Sequence, residues 1–436
     1  MLKRTVLFAT TALVASLALT ATAQAGPLTN HSDQLVDAAA VTPGSGSADQ
    51  VIQWNQELVQ LIQLPGAQPA TVQPTRTLAI TQLAVFNAVE AVEGRHGFDG
   101  YHGRGASAAA AVAAAAHTAL VALLPSQQQA LDARFQQSLS QIGSGSRVRK
   151  GIGVGERAAR TILAQRANDG AAATPPVYQP LPGPGEYQLT PPAFTPAVFT
   201  HWAMVRPFVL DSASQFRTPP PPTVTSARYT DDFNEVKSIG ELNSTTRSAE
   251  QTTIGRFWSA ASVWNVWNQA AQTAGMAFHN SLESNARMFA QLDVSLADGV
   301  IALYDSKYTY HAWRPVTATR AADTDGNPDT AGNPTWAPLT NTAPDPSYPG
   351  AHAEISQSAA AALRDFFGTD RLDFSLTVPS MPGVLRSFQS FSQAANEASA
   401  SRVFAGQHFR YDEEAGQALG DQVADFVASH GFNGQR

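Results

Sequence analysis

Three short segments in the C-terminal third of the chain combine cations, imidazoles and a carboxylate. They read KYTYHAWRP at 307–315, SYPGAH at 347–352 and SRVFAGQHFRYD at 401–412. The side chains they supply that are suited to chemistry are three cations, two histidines and one acid: Lys307, Arg314, Arg402, His352, His408 and Asp412. Cations placed around imidazoles can hold a tetrahedral oxyanion while protons are moved on it. We refer to the three cations as the cationic cage.

The second segment places a histidine at the start of a helix. His352 follows Pro349, Gly350 and Ala351, and the residues after it predict a helix that begins at once. The N-terminus of a helix presents unpaired backbone N–H groups and the positive end of the helix dipole, both of which attract anions. Because Gly350 has no Cβ, an oxyanion can approach its N–H. We therefore expect the Gly350 N–H to bind the anion and His352 to act as a general acid–base.

The first segment carries two of the cations. Lys307 and Arg314 are seven residues apart, which predicts that both project from one face of a helix, with Pro315 close to the helix end. A solvated helix face is the alternative interpretation of such charges, but the neighbouring tyrosines and tryptophan favour a partly buried site. His311, one turn after Lys307, is interpreted as structural, and a proton shuttle is the alternative.

The third segment predicts a helix end followed by a turn. Arg402 lies near the end of this helix, Gly406 is its expected stop, and His408 falls on the turn that follows. Asp412 has two interpretations. It either opens the next helix, as acids commonly do, or it orients His408 or braces an arginine.

The order and spacing of these residues resemble the signature of the vanadium-dependent haloperoxidases. The pattern is K-x6-R-P, then P-x-x-H, then S-R-x5-H-x3-D. Type 2 phosphatidic acid phosphatases and bacterial class A acid phosphatases share it. The stretch 314–353 resembles the soluble bacterial haloperoxidases throughout, and the resemblance covers roughly residues 230–430. It implies a vanadate cofactor whose oxygens are neutralised by the cationic cage and the Gly350 N–H, with His408 as the ligand of vanadium.

The sequence departs from the family's usual motif in two places. Where the family has P-S-G-H this chain has P-G-A-H, so the serine hydroxyl that normally hydrogen-bonds the oxyanion is missing at Gly350. Seven residues before His352, haloperoxidases tend to carry Phe or His on the halide side of the pocket, whereas this chain has Asp345. The resemblance therefore predicts a carboxylate that repels halide.

Three functions remain open at this stage. The first is a haloperoxidase that uses peroxide to oxidise halide through histidine-bound vanadate. The second is an acid phosphatase without a metal, in which His408 forms a phosphohistidine and His352 protonates the leaving alcohol. The third is a non-catalytic oxyanion-binding or structural helical protein. Both enzymes act on small molecules, namely peroxide and halide or a phosphate ester.

Apolar periodicity predicts an all-α fold of two helical bundles joined by an ordered, proline-rich strap, with the active site in the C-terminal bundle. Helices are expected over 353–367, 384–405 and 412–429, and no run of useful length has strand periodicity. The predicted organisation is a signal peptide, a flexible leader, an N-terminal bundle, a proline-rich connection and a C-terminal domain, with the bounds 1–25, 26–47, 48–170, 171–228 and 229–436.

The N-terminal segment and the composition limit where the protein acts and which partners and chemistries are possible. Lys3 and Arg4, an apolar core and an Ala-Gln-Ala site predict a cleaved signal peptide, hence a periplasmic or extracellular protein with no membrane span after cleavage. A formal net charge of −7 argues against nucleic acid. The chain has no cysteine, which excludes thiol catalysis, iron–sulfur clusters and cysteine zinc sites. Whether the chain forms a homodimer stays open.

Weaker candidate sites lie outside these segments. The acids of 323–329 alternate as in a calcium loop, but the glycine comes too early, which favours an acidic turn. The Gly-Ser-Gly-Ser run at 143–146 lacks the strand–turn–helix context of a nucleophile elbow. The other histidines show no metal-ligand spacing.

Overall fold

The computed structural model of the 436-residue chain describes residues 49–68, 72–94 and 101–432. These residues form thirteen α-helices and one two-stranded sheet, so the predicted all-α class is confirmed. The predicted signal peptide and leader lie outside the described residues. The first five helices are α1 Gln50–Ile62, α2 Gln73–Glu93, α3 Ala108–Leu123, α4 Gln128–Ile142 and α5 Ser146–Arg166.

The remaining helices form the C-terminal half. Every predicted site residue lies in one of these helices or next to the end of one. They are α6 Ala227–Ile239, α7 Ala249–Ala260, α8 Val263–Ala277, α9 Leu282–Tyr310, α10 Pro315–Ala321, α11 Ala351–Phe367, α12 Phe391–Phe404 and α13 Arg410–Gly431. Local chemistry sets many of their ends. For example, the Ser281 side chain accepts from the backbone N–H of Ser284 at the start of α9, and Gly406 adopts φ 72° just past the end of α12.

Helix α9 is the central element of the described structure. It is buried along most of its length and packs against α2, α11 and α13. One continuous apolar core includes side chains from α1–α5 as well as from α8, α9, α11 and α13. The predicted boundary between the two bundles therefore stays a prediction. The site residues at the end of α9 are held by this core.

The alanine-rich helix packs closely, as predicted. A Cβ added to Gly155 of α5 would lie 2.7 Å from the Ala115 nitrogen and 2.9 Å from the Ala114 Cβ of α3. Such distances show that the two helix backbones approach as closely as glycine and alanine permit. A larger side chain on this face of α5 would separate the helices.

The proline-rich segment between α5 and α6 is an ordered strap anchored by aromatic side chains, as predicted. Tyr187 and Trp202 are fully buried in it. Asp298 of α9 accepts hydrogen bonds from three consecutive backbone N–H groups of the strap, those of residues 208–210, at 2.6–3.0 Å. These bonds satisfy backbone that has no regular structure of its own.

One secondary-structure prediction is wrong. The helix expected over 384–405 begins only at Phe391, and the residues before it form an antiparallel hairpin of β1 Arg371–Thr377 and β2 Leu385–Ser390. Alternate residues of β1 face inward, with Leu372, Phe374 and Leu376 buried. The alternation spans only seven residues, so it gave a weak signal next to a strong helical one.

Among the described residues, no single helix has the length and apolarity needed to cross a membrane. One pair, Ala108–Leu123 with Pro125–Ile142, passes on length and composition together but is bent by 119°.

Candidate active site

Lys307 and Arg314 lie on opposite sides of a helix break. Helix α9 ends at Tyr310, His311 takes the left-handed conformation with φ 49°, and Arg314 is the N-cap residue of α10 ahead of Pro315. The prediction that both cations project from one helix is therefore wrong, because Pro315 starts a new helix. His311 is the C-cap residue of α9, a position that agrees with its interpretation as structural.

Arg314 connects the first and third predicted segments with Asp345, just before the second. Its Nε donates to the Asp345 carbonyl at 2.8 Å and a terminal nitrogen donates to the Gln407 carbonyl at 3.0 Å. The same terminal nitrogen lies 2.9 Å from Nε2 of His408, and the other one donates to the Asp345 carboxylate. Arg314 is 1% exposed, so these charge-assisted bonds form away from water.

Lys307 is fully buried and holds the loop that precedes α11. Its ammonium donates to the Pro346 carbonyl and, at 3.1 Å, to the Ser347 carbonyl, and lies 3.5 Å from the Asp345 carboxylate. Burial lowers the pKa of Lys307 to about 8, with Asp345 opposing the shift. The lysine therefore contributes positive charge to the site while its hydrogen bonds organise the loop.

Asp345 lies between Lys307 and Arg314 and accepts a hydrogen bond from the Tyr304 hydroxyl at 2.9 Å. Burial alone would raise the pKa of Asp345, but the charges of Lys307 and Arg314 outweigh it and hold the pKa below its usual value. The Asp345 carboxylate thus forms ion pairs with these two cations inside the protein. The expectation that it repels halide from the pocket wall is wrong, because it braces the cationic cage instead.

Replacing Asp345 by Asn should destabilise the fold strongly. The substitution leaves two buried cations without their acid, which by analogy with other buried pairs costs about 3–5 kcal/mol of unfolding free energy. The folded pKa is depressed, so this stabilisation is present above the ordinary Asp pKa and is lost as pH falls through the folded pKa. Urea denaturation of the two proteins measures the effect.

The matched control is Asp305→Asn, which removes the acid of a pair with Arg217 at 2.6 Å. The arginine of that pair is 40% exposed, so its loss should cost at most about 1 kcal/mol. Equal destabilisation by the two substitutions would contradict the bracing role of Asp345.

His408 is held in one tautomer. Its Nδ1 lies 3.2 Å from Asp412 Oδ2, which can only accept, and its Nε2 faces the Arg314 guanidinium, which can only donate. The ring therefore carries its proton on Nδ1 and a lone pair on Nε2. Burial, with the charges of Arg314 and Lys307, holds the pKa of His408 well below its usual range, so the imidazole is neutral.

Asp412 combines the two roles that the sequence leaves open. In the first turn of α13 its Oδ2 accepts from the Phe409 backbone N–H at 3.0 Å, as acids do at a helix start. The same oxygen accepts from the Ser347 hydroxyl at 2.6 Å and from His408. Burial raises the pKa of Asp412 to about 7. A carboxyl that orients a histidine ligand is a common supporting contact in metal sites.

The N-terminus of α11 faces the site, but the predicted role of Gly350 is wrong. Its N–H donates to the Asp412 backbone carbonyl at 2.8 Å and so joins α11 to α13. The next two amides, those of Ala351 and His352, lie in the first turn and have no helical carbonyl to bond. Such amides at a helix N-terminus are available to an anion.

His352 lies where the site meets a cavity of about 460 Å³. Its Nε2 lies 3.1 Å from the Trp258 carbonyl, so Nε2 carries the proton and Nδ1 the lone pair. Burial and the Arg402 charge lower the pKa of His352 well below its usual value. The cavity runs from this imidazole to Leu64 in the loop after α1, to Ser262 between α7 and α8, and to Trp264 in the first turn of α8.

Arg402 is the cage cation with spare hydrogen-bonding capacity. One terminal nitrogen donates to the Ser259 hydroxyl at 2.8 Å, whereas its buried Nε has no hydrogen-bond partner among the described residues. Within the same residues no carboxylate oxygen lies within 4.0 Å of it. Burial lowers the pKa of Arg402 to about 10, so it remains a cation near neutral pH.

Glu413 is a site residue that sequence reasoning missed. It is 2% exposed, neither carboxyl oxygen has a hydrogen-bond partner within the described part of the chain, and Oε1 lies 3.6 Å from His408 Nδ1. Burial raises the pKa of Glu413 well above its usual value, with Arg402 opposing the shift. In the sequence it is one of three acids that open α13. The signal that could have found it is its helical position one residue after Asp412.

The weaker candidates stay outside the site. In the 323–333 loop, Asp325 caps the Asn327 N–H and accepts from the Thr330 hydroxyl, while Asp323 accepts from the Gly332 N–H. These are acidic turns, as favoured. The structure places no group of three or more His, Asp or Glu suited to a metal ion within the described parts of the chain.

The assembled site fits a tetrahedral oxyanion. Among the described residues the buried Nε of Arg402 has no hydrogen-bond partner, so it is available to donate to such an anion. The donor set consists of Arg402, Arg314 and the first amides of α11, and His408 Nε2 carries a lone pair that faces Arg314. Hard oxygens with negative charge suit such donors, and a single imidazole suits the central atom. Vanadate and phosphate both meet these requirements.

Known proteins share this domain. A family model described as the VCPO second helical-bundle domain matches residues 287–433, which contain the cationic cage and both histidines. The vanadium chloroperoxidase of Curvularia inaequalis is 26% identical over 258 residues, which are 44% of this chain. The matched part spans 42% of that relative's own length.

Solved structures extend the similarity to most of the chain. A structure described as the first bacterial vanadium-dependent iodoperoxidase has a TM-score of 0.72 at 25% identity and covers 88% of this chain and 95% of its own. A holo-type bacterial vanadium-dependent chloroperoxidase has a TM-score of 0.62 at 18% identity and covers 85% of this chain and 94% of its own, which shows the fold.

Fold and site together define a helical protein in which a neutral histidine lies beside buried cations. Residues 287–433 match the family model of the VCPO second helical-bundle domain, and most of the chain is similar in structure to a bacterial vanadium-dependent iodoperoxidase.

Proposed function

We propose that the protein is a vanadate-dependent haloperoxidase that oxidises halide with hydrogen peroxide. The observation that carries the proposal is the tautomer of His408, whose neutral Nε2 lone pair faces the cationic cage while Asp412 holds Nδ1. This is the state in which imidazole binds a metal centre. The related iodo- and chloroperoxidases support the same cofactor.

The residues have distinct tasks in this reaction. His408 would bind vanadium, and Arg314, Arg402 and the α11 amides would neutralise the vanadate oxygens. Bound vanadate supplies the activation of peroxide toward halide, without a change in the metal's oxidation state. His352 accepts the peroxide proton at Nδ1, because its Nε2 is held by the Trp258 carbonyl. Its position on the cavity lets peroxide and halide reach it.

The test is peroxide-dependent halogenation of a phenol dye by purified protein with and without added vanadate. We expect a rate that requires vanadate with at least one of iodide, bromide and chloride. Because Asp345 is paired inside the fold, it should not suppress halide oxidation. Absence of a vanadate-dependent rate with all three halides would reject the proposal.

The second candidate is a phosphatase that uses the same residues. A neutral Nε2 lone pair beside an arginine is also what attack on phosphorus requires, with His408 as nucleophile and His352 as acid. Hydrolysis of p-nitrophenyl phosphate, and its inhibition by vanadate, distinguishes the two enzymes. A protein that brominates but never hydrolyses the ester removes this candidate. Tight oxyanion binding without either turnover would support the non-catalytic alternative.

Replacing Arg402 by Ala should weaken vanadate and phosphate binding. The change removes a charged donor whose Nε is free for the anion, which corresponds to roughly 10- to 100-fold in affinity. Isothermal titration calorimetry measures it, with Arg371→Ala on exposed β1 as the control that should bind normally. Unchanged affinity in the Arg402 variant would place the anion elsewhere.

We also propose that the protein is exported, on the basis of the basic, apolar and Ala-Gln-Ala regions of residues 1–25. N-terminal sequencing of the secreted or periplasmic fraction tests it. A mature N-terminus close to residue 26 is expected, and a cell-retained chain that still carries residues 1–25 would contradict it.

A further inference from the structure

The cavity beside His352 is larger than peroxide and halide require. Its volume is about 460 Å³, whereas a molecule the size of water occupies only about 30 Å³. Cavities that hold organic ligands measure roughly 300–1,000 Å³ and are lined mainly by apolar side chains with a few polar groups. The cavity therefore has room for an organic molecule beside the residue that moves protons in the proposed reaction.

The wall of this cavity is mainly apolar. Its apolar side chains come from α1 and the loop after it, from the first turn of α8 and from α11, and they include Ile62, Leu64, Pro65, Val263, Trp264 and Ile355. No Lys, Arg, Asp or Glu lines the cavity within the described residues. A charged ligand would lose its hydration here without gaining a counter-ion, and the Trp264 indole offers a surface on which a ring can pack. The wall therefore suits a neutral aromatic molecule.

One polar group in the wall has an unused hydrogen-bond donor. The amide oxygen of Gln68, which lines the cavity, accepts from the Thr77 hydroxyl at 2.9 Å. The amide nitrogen of Gln68 is buried and has no hydrogen-bond partner among the described residues. Because a buried donor without an acceptor is unfavourable, this arrangement favours a ligand whose oxygen accepts from Gln68. Gln68 and Trp264 thus provide the two kinds of contact that a phenol or a naphthol makes.

We propose that this cavity binds the organic acceptor of the reaction, a neutral aromatic compound that carries a phenolic oxygen. The role as acceptor rests on the proposed haloperoxidase function, whereas the binding itself does not. In that reaction peroxide and halide yield hypohalous acid. A ring carbon of the acceptor then bonds to the halogen as the halogen–oxygen bond breaks, and the proton that leaves this carbon combines with the released hydroxide as water. A bound acceptor receives the halogen beside His352, before hypohalous acid escapes into solution.

The test is the binding of 2-naphthol, with phenol as a smaller probe, to the full-length protein by equilibrium dialysis without vanadate, peroxide or halide. We expect saturable binding at a single site. Decahydro-2-naphthol has the same hydroxyl group without the aromatic rings, so it should bind roughly 3- to 10-fold more weakly than 2-naphthol.

Two substitutions change the shape and polarity of the wall. Ser262 is the N-cap residue of α8, but its side chain makes no capping hydrogen bond. Ser262→Phe therefore fills the cavity without removing a cap, and it should weaken 2-naphthol binding by at least about 10-fold. Leu64→Asn removes an apolar contact and should weaken binding roughly 3- to 10-fold. Leu242→Asn is the matched control, because Leu242 is 48% exposed against 44% for Leu64 and lies outside the cavity.

A third substitution tests the donor. Gln68→Ala should weaken 2-naphthol binding roughly 2- to 10-fold, the scale of a hydrogen bond between neutral groups. It also breaks the bond to Thr77, so Thr77→Val is its control, which loses that bond but keeps the Gln68 nitrogen and should bind like the parent. Circular dichroism and melting temperatures verify that every variant is folded.

Competition between two acceptors tests where the halogen is transferred. In a mixture of 2-naphthol and its 6-sulfonate, reagent hypobromous acid gives a reference ratio of brominated products. The parent protein with vanadate, peroxide and bromide should favour 2-naphthol above that ratio, because the sulfonate finds no counter-ion in the cavity. Ser262→Phe should return the product ratio to the reference value.

The outcomes separate this inference from the proposed function. If the parent binds neither 2-naphthol nor phenol, or if folded Ser262→Phe binds 2-naphthol as tightly as the parent, the inference is overturned even when the protein halogenates. Equal binding of decahydro-2-naphthol overturns the aromatic class, and a parent product ratio equal to the reference overturns the acceptor role. If 2-naphthol binds as predicted but no halide gives a vanadate-dependent rate, the proposed function fails while the binding site stands.

Discussion

His408→Ala is expected to reduce vanadate-dependent halide oxidation to the rate of free vanadate in the same buffer. The substitution deletes the one Nε2 lone pair that the site directs at the central atom, and no other described histidine is held in this state beside the cationic cage. The same loss is expected for phosphate-ester hydrolysis if the protein is a phosphatase, because the nucleophile is gone. Steady-state rates at saturating vanadate measure it.

The control for His408→Ala is His430→Ala, an exposed histidine near the end of α13. It should leave the rate unchanged, which separates the loss of a specific ligand from the loss of any imidazole. If His408→Ala retains a substantial vanadate-dependent rate, then the central atom is bound by another group and the assignment of the site is wrong.

His352→Ala should lower turnover by about 10²- to 10⁴-fold, the usual scale for a positioned acid–base group. Its imidazole has a low pKa from burial and from Arg402, and its Nδ1 lone pair is available at the cavity. Vanadate affinity should change little, since the imidazole ring of His352 is not in the donor set. Turnover and calorimetric vanadate affinity, measured on the same preparation, show the two effects of the substitution separately.

The change in turnover, compared with the change in vanadate affinity, identifies the role of His352. A variant that loses affinity and turnover in parallel would show that the histidine binds the anion and does not move a proton. Partial recovery of the rate by added imidazole would support proton transfer, because a diffusing base can then replace the missing one.

The fold class was predictable because long amphipathic and alanine-rich segments have a strong 3.6-residue period, and the described helices follow them closely. The hairpin at 371–390 was not predictable, because its strands are short and adjoin a segment with a clear helical pattern. The break between Lys307 and Arg314 depends on a left-handed residue at His311. Pro315 suggested that a helix ends nearby. The local sequence does not show, however, on which side of that helix end Lys307 and Arg314 lie.

The six polar positions of the site were predictable from their types and order, whereas their partners were not. The family resemblance places Asp345 on the halide side, but its ion pairs with Lys307 and Arg314 depend on contacts between residues 31 or more positions apart. The use of the Gly350 N–H by Asp412 and the approach of Glu413 to Gly350 also join distant segments. Such contacts follow from tertiary packing, which no local spacing encodes.

The central claim is that His408 holds vanadate within the cationic cage. X-ray absorption at the vanadium edge, on protein loaded with one equivalent of vanadate, tests it most directly. The account predicts one imidazole nitrogen in the vanadium coordination shell of the parent protein and its loss in His408→Ala. A shell of oxygen alone in the parent protein, or an unchanged nitrogen signal in the variant, would contradict it.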